Sequence, residues 1–414
     1  MPRIDRRTFL STGLAAVAGT LAPRGAKARS EGTAPAVDRA LPDVVVIGAG
    51  VFGTWTALNL CERGARVTLL DAYGPGNARQ TSSDETRQIR AAYGEDEIYS
   101  RWAQRAFTLW HTRQEEFQRR IIYANGVLST NDPADKLAIE TTTFEKLEIP
   151  FEMLGPDELR YRWPQARWDD VDHALYEPQG GTVKARESII AAAELFERKG
   201  GQVRIGHAVP GRRSGGRLES IALADGTELK AGKFVFACGP WLPDLLPDIL
   251  GGYINRRRSE VFYVGSRPGD DRFHWARFPN MWEPRTGAYA MSDVDYGYKV
   301  VPRLGVPIDP DMDDRMPSPF LMRSVEDYLR MRAPALLGQP IVATRVCTLE
   351  NSNNHHYIID THPDYDNVWL AGAGSGHGFK MGPVLGEYIA DRVLDVPDDP
   401  DIRRLFALAS HRPV

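Results

Sequence analysis

Cysteine is scarce in this chain of 414 residues: only Cys61, Cys238 and Cys347 occur. Three thiols so placed form no disulfide framework, so the fold must rest on a buried core, which this length allows. Strong net charge is also missing. Fifty-one basic residues against 55 acidic ones give −4, and no basic face suited to nucleic acid stands out. No stretch beyond residue 28 is long and uncharged enough to span a bilayer. There is no internal repeat and no low-complexity tract, and no metal site is expected. Glycine and proline are plentiful instead, at 38 and 29 residues. With 42% hydrophobic and 26% charged residues, the composition suits a loop-rich globular protein.

Residues 1–28 read as a targeting segment. Arg6-Arg7-Thr8-Phe9-Leu10 precedes a short apolar run from Leu14 to Ala22 and the small-x-small triplet Ala26-Lys27-Ala28. That is the order of a cleaved export signal. Paired arginines ahead of Phe-Leu resemble the bacterial twin-arginine type, which carries folded proteins. The expectation is a periplasmic or secreted protein, with the twin-arginine export machinery as a partner and no membrane span in the mature form.

After the signal the pattern alternates between strand and helix. Asp43 to Ile47 reads as a buried strand and ends in Gly48-Ala49-Gly50-Val51-Phe52-Gly53. A helix to Arg63 follows, stopped by Gly64, and then a second strand from Arg66 to Leu70. A long amphipathic helix is expected over Glu97 to Arg119, with Trp102, Ala106, Leu109, Trp110 and Phe117 inward. Further on come a helix from Arg186 to Lys199, a hairpin at Asp225-Gly226 and an apolar strand from Lys233 to Ala237. From Tyr253 to about Thr344 the texture shifts to aromatics, prolines and short strands, as in an inserted domain. The strand Val368 to Ala371 enters a second glycine run, Gly372 to Gly378, ahead of a helix from Pro383 to Val393.

The first glycine cluster, Gly48-x-Gly50-x-x-Gly53, lies between a strand and a helix. Glycines there permit a tight turn and let the backbone approach a pyrophosphate at the helix N-terminus. Asp71 follows at the end of the second strand, where a carboxylate binds adenosine ribose hydroxyls. The motif specifies a dinucleotide without choosing between FAD and NAD. The late loop points to FAD. A second helix N-terminus, reached through Gly374, Gly376, His377, Gly378 and Lys380, can face the pyrimidine side of a flavin and favour its anionic reduced form.

Three blocks then carry a family resemblance. They are Val45 to Asp71 with Thr86-Arg87-Gln88-Ile89-Arg90-Ala91-Ala92-Tyr93-Gly94-Glu95; Gly297-Tyr298-Lys299; and Val346-Cys347 with His356 to Pro363 and Ser375 to Lys380. The sequence resembles the monomeric sarcosine oxidase and N-methyltryptophan oxidase family, within the D-amino-acid-oxidase-like flavoproteins. The resemblance implies an α/β fold, with a FAD-binding Rossmann-like domain (40–126, 183–253 and 345–396) and an inserted antiparallel-sheet substrate domain (127–182 and 254–344). It implies FAD held covalently through Cys347, Arg87 beside the flavin ring, and Lys299 as the cation that activates oxygen. Arg90 and Lys380 match a pair that grips a substrate carboxylate. His377 orients its loop, and Cys61 and Cys238 read as core.

The activity so implied is oxidation of an N-substituted, N-methyl-type amino acid. Hydride passes from the C–H next to nitrogen to flavin N5, the imine hydrolyses, and O2 reoxidises the flavin with release of hydrogen peroxide. Two alternatives stay open. One is a flavin dehydrogenase of secondary, cyclic or glycated amino acids that passes electrons to a carrier. The other is a non-catalytic flavin-binding protein. The sequence departs from the sarcosine pattern at Ser83, Arg303 and Leu349, which puts sarcosine itself in question. Trp275, Phe278, Met281, Trp282, Tyr289 and Met291 are offered as pocket walls.

Overall fold

The computed structural model describes residues 43–302 and 305–413. The targeting segment and Arg303 lie outside these residues. Val44–Ile47 is buried at every position because it sits mid-sheet with cover on both faces, as continuous aliphatic runs do in parallel sheets. It pairs in parallel with Val67–Asp71 on one side and Lys233–Phe236 on the other. The sheet extends to Gln202–Ile205 at one edge. At the other edge lie Tyr365–Gly372 and the antiparallel strand Ile358–His362. Strands separated by more than three hundred residues thus end at one rim.

The helices Val51–Glu62 and Gly382–Val393 cover this sheet as a close pair. A Cβ at Gly386 would lie 2.6 Å from the Trp55 backbone, so only glycine lets the two approach so nearly. Glu97–Phe117 packs beside them with Trp102, Ala106, Trp110 and Phe117 buried, while Leu109 is only partly covered. Trp55 and Trp110 meet edge to face at 5.2 Å, the arrangement that aromatic quadrupoles favour.

A second sheet of eight strands runs in the order Ile341–Asn351, Asn255–Val264, Tyr298–Val301, Ala288–Met291, Asn280–Glu283, Val127–Thr130, Ala174–Glu177, Glu152–Leu154. It is not wholly antiparallel as expected: Asn280–Glu283 runs parallel to Val127–Thr130, because the chain reaches these neighbours in separate visits rather than by a hairpin. A small sheet of Thr86–Ile89, Gly181–Lys184 and Ile122–Tyr123 completes the frame. No helix among the described residues is long and apolar enough to cross a membrane.

Candidate active site

One large cavity, of about 590 Å3, opens where the two glycine loops, the arginine segment and the second sheet converge. Gly48, Gly50, Val51, Phe52 and Asp71 line one part. Gly48 has φ +103°, and a Cβ on it would stand 2.3 Å from the Ala237 carbonyl oxygen; the turn therefore demands glycine. Gly50 is the helix N-cap and brings no capping side chain; the Val51 amide donates to the Ser82 hydroxyl at 3.0 Å, and the remainder of that helix terminus is left to an anion. Gly53 is not on the wall. It lies behind, where a Cβ would collide with the Gly48 carbonyl, so its role is the close packing of helix on strand. Asp71 accepts from the amides of Ala49, Tyr73 and Gly74 at 2.8–2.9 Å, which fixes its carboxylate at the cavity edge.

The late loop forms the opposite part. Gly374, Gly376, His377, Gly378 and Lys380 all line the cavity. His377 is held at both nitrogens, by the Tyr357 hydroxyl at 2.8 Å and the His355 carbonyl at 2.9 Å. Burial, with the Lys380 charge adding to it, drives its pKa down to about 3. It is thus a neutral brace for the loop, not a free base.

Arg90 and Lys380 both face the cavity and meet at Tyr93. The Lys380 Nζ donates to the Tyr93 hydroxyl at 2.8 Å. The Arg90 guanidinium lies 5.2 Å from the Tyr93 ring centroid and 5.9 Å from that of Trp282, and it donates to the Ala92 carbonyl. Neither cation has an ion-pair partner among the described carboxylates. Burial, then the nearby Arg90 charge, holds the Lys380 pKa well below its ordinary range. Tyr93 is the member of this group that single-residue reading misses, since nothing marks one tyrosine among fifteen.

Lys299 and Cys347 are not on the cavity wall. Both are buried behind it on neighbouring parts of the eight-stranded sheet, Lys299 opposite Tyr263 and Cys347 opposite Ser259. The Lys299 Nζ lies 5.6 Å from the ring centroid of Tyr289, and Tyr289 does line the cavity. Lys299 donates to Asp84 Oδ2 at 2.5 Å and to the Thr86 carbonyl at 2.7 Å. Asp84 also accepts from Arg87 at 2.6 Å and from the Tyr263 hydroxyl at 2.6 Å. Burial alone would raise the Asp84 pKa; the charges of Lys299 and Arg87 overcome it and hold the carboxyl down to about 2. Lys299 is lowered by burial despite this partner. For Cys347, burial and then Asp84 push the thiol up, against Arg87 and Lys299.

Of the suggested pocket walls, only Trp282 and Tyr289 line the cavity. They stand side by side on paired strands, and the Trp282 indole N–H has no partner. Phe278 and Met281 belong to the second core. Met291 is fully buried beside Thr86, and Trp275 stacks on Arg120. Of the sites of departure, Leu349 lines the cavity, while Ser83 is buried.

The residues present fit FAD. The first loop offers a helix N-terminus and Asp71, as an ADP moiety requires. The cavity then runs on past Arg87 to a second helix terminus and two cations, further than a pyrophosphate alone would need. A family model described as FAD dependent oxidoreductase matches residues 43–392. The chain is similar to the monomeric sarcosine oxidase of Streptomyces avermitilis, 31% identical over 365 residues that cover 85% of this chain and 93% of that one. It is also similar to the N-methyl-L-tryptophan oxidase of Escherichia coli, 28% identical over 372 residues, covering 87% of this chain and 97% of that one. Among solved structures, the L-proline dehydrogenase of P. horikoshii shares the fold with a TM-score of 0.78 at 20% identity, covering 89% of this chain and 97% of that one.

Proposed function

Because this chain belongs to the FAD-dependent oxidoreductases, in the family of the monomeric sarcosine and N-methyltryptophan oxidases, we propose that it oxidises an N-substituted, N-methyl-type amino acid. It is an enzyme of the amine-oxidising class, acting at the carbon–nitrogen bond. The observation that carries the substrate reading is the pair Arg90 and Lys380, two cations on the cavity wall joined through Tyr93, which feel the buried Glu177 at a distance but contact no carboxylate among the described residues. A substrate carboxylate supplies the missing charge. The same positive field favours the neutral form of a nearby amine, so the nitrogen lone pair is free and no general base is needed.

The chemistry a bound FAD supplies is acceptance of hydride from the carbon next to nitrogen and delivery of both electrons to dioxygen, as hydrogen peroxide. The chain's part is to bind and orient. Gly48, Gly50 and Asp71 hold the dinucleotide end. Arg87, on the cavity wall, would lie beside the ring, and Cys347 is the thiol proposed for covalent attachment. Trp282 and Tyr289 shape the wall next to the clamp and limit the substrate's substituents. Lys299 is a cation fixed in a dry site, where it favours a nascent oxygen anion. Its pairing with Asp84 partly cancels that field, and this supports the second reading, a dehydrogenase that hands electrons to a carrier. Export through the twin-arginine route, to the periplasm or beyond, is proposed from the order of Arg6-Arg7-Thr8-Phe9-Leu10, the apolar run Leu14 to Ala22 and Ala26-Lys27-Ala28.

The test is anaerobic bleaching of the flavin absorbance with N-methyl, cyclic and glycated amino acids, followed by air. Bleaching by the N-methyl class, then rapid recovery with peroxide, is expected. Bleaching without recovery would establish the dehydrogenase. No bleaching by any amino acid would overturn the carboxylate clamp. Acid precipitation reads attachment separately: yellow in the pellet supports the Cys347 link, and yellow in the supernatant refutes it.

A further inference from the structure

Four acids line the cavity: Asp71, Asp244, Asp311 and Glu350. Asp71 is held by backbone amides, Asp244 by Arg256, and Asp311 by Arg79 and the Trp241 indole. Glu350 alone is left nearly unanswered. It is 5% exposed. One long hydrogen bond reaches its Oε1, from the Gly374 amide at 3.4 Å, and its Oε2 has no partner. Arg256 stands opposite it across the strands but turns its guanidinium to Asp244 and the Pro240 carbonyl. A buried polar atom left in this state is costly, so the cavity's occupant is the natural source of the missing donor.

The position narrows that occupant. A Cβ at Gly239 would lie 3.1 Å from Glu350 Oε2, and one at Gly374 would lie 3.5 Å from Oε1, so two glycines leave space around this carboxyl. Gly239 follows the Ala237 carbonyl that Gly48 packs against, which ties it to the pyrophosphate end. Gly374 opens the loop that leads to Lys380 and the ring end. Glu350 therefore stands between the two ends. In FAD the segment between pyrophosphate and ring is the ribityl chain, which carries hydroxyl donors; a phosphate facing a carboxyl would repel it. We propose that Glu350 is a FAD-binding residue whose Oε2 accepts a hydrogen bond from a ribityl hydroxyl. Burial holds the carboxyl up to about 7, so near neutrality it has a substantial protonated population and can donate as well as accept.

The proposal rests on the FAD reading of the cavity, and its test separates the two. In a Cys347→Ser background, which keeps the cofactor exchangeable, the apoprotein is titrated with FAD by quenching of flavin fluorescence. Glu350→Leu is expected to weaken the Kd by roughly tenfold or more. Glu350→Gln, which keeps an acceptor in place, stays within about threefold of the parent. Apoprotein melting temperatures hold or rise in the Leu and Ala variants, which lose the unanswered carboxyl, while added FAD raises the melting temperature of the parent by more than theirs. Glu350→Ala repeats the comparison without bulk near Gly239. FAD analogues, each lacking one ribityl hydroxyl, supply the second arm: one of them loses affinity for the parent but not for Glu350→Leu. A parent that takes up no FAD overturns both the cofactor reading and the proposal. A parent that binds FAD no more tightly than the Leu and Ala variants, or that ignores every analogue, overturns the proposal alone.

Discussion

Two pairs of cations stand at or just behind the wall of this cavity, and the chain treats them in opposite ways. Lys299 and Arg87 share a carboxylate, Asp84, that is fully buried and also takes the Tyr263 hydroxyl. Arg90 and Lys380 share the phenol of Tyr93 and contact no described carboxylate; the buried Glu177 acts on them only from further off. A buried charge without a counter-charge is costly, and a folded chain retains one most readily where a ligand completes it. The first pair is therefore closed within the protein. The second is half of a site, and its other half is the substrate's carboxylate.

Breaking the closed pair should give the largest effect. Asp84→Ala leaves two cations facing each other without their shared acid, and should cost about 3–5 kcal/mol of stability, read by chemical denaturation. The pH profile sharpens this. The folded pKa of Asp84 is about 2, below the roughly 3.9 of an unfolded aspartate. Its contribution is thus present above about pH 4 and is lost as pH falls towards 2. Denaturation at several values across that window should show a decline in the parent that is smaller in Asp84→Ala. An equal decline in both would mean that Asp84 is not the group that titrates.

Lys299→Met comes next. Asp84 keeps Arg87 as a partner, so the fold should survive. Reoxidation by dioxygen should slow by about 10²–10³-fold, while anaerobic reduction by substrate changes far less. Stopped-flow traces of the two half-reactions decide it, and an equal fall in both would remove Lys299 from the oxygen step.

The open pair should respond with the opposite sign in stability. Arg90→Gln or Lys380→Met removes a cation that no carboxylate of the described residues contacts and that only the more distant Glu177 favours, so the melting temperature should hold or rise. Affinity for an amino-acid substrate should drop by about 1.5–3 kcal/mol, whereas an amine of the same shape lacking the carboxylate should bind no worse. If both ligands weaken alike, the two residues support the pocket's shape rather than grip a charge.

These two clusters also mark what was legible in the sequence. The glycine loops were, because Gly48 and Gly53 answer a backbone requirement that shows in the residue type itself. Arg90 and Lys380 were legible through the family blocks, and both line the cavity. Asp84 was not: its partner Lys299 lies 215 residues away, and nothing local distinguishes a buried, paired aspartate in a polar loop from a solvated one. The aromatics divided for a similar reason. Trp282 and Tyr289 reach the cavity while Met281 and Met291, one and two residues from them, are buried away from it. Strand alternation separates Met281 from Trp282; Met291 shares the face of Tyr289 but lies further along the strand, opposite Lys299 and buried behind the wall, and reading that needs the register. Lys299 and Cys347 carried family positions, but their depth behind the wall emerges only from the pairing of three strands.

The smallest effect tests the link inside the open pair. Tyr93→Phe keeps the ring under Arg90 and Lys380 and deletes only the hydroxyl that accepts from the Lys380 Nζ. One such hydrogen bond is worth about 1 kcal/mol, so binding of a carboxylate substrate or competitor should weaken by about fivefold. The pH dependence is more telling. Lys380 is already held low by burial and by Arg90, so substrate affinity falls as pH rises through its pKa and the ammonium is lost. Without the phenol acceptor the ammonium is less favoured, and that fall should begin at lower pH in Tyr93→Phe than in the parent. Anaerobic binding of a non-reactive carboxylate across pH reads the shift directly. If the profiles superimpose, Tyr93 spaces the two cations without sustaining the charge on Lys380.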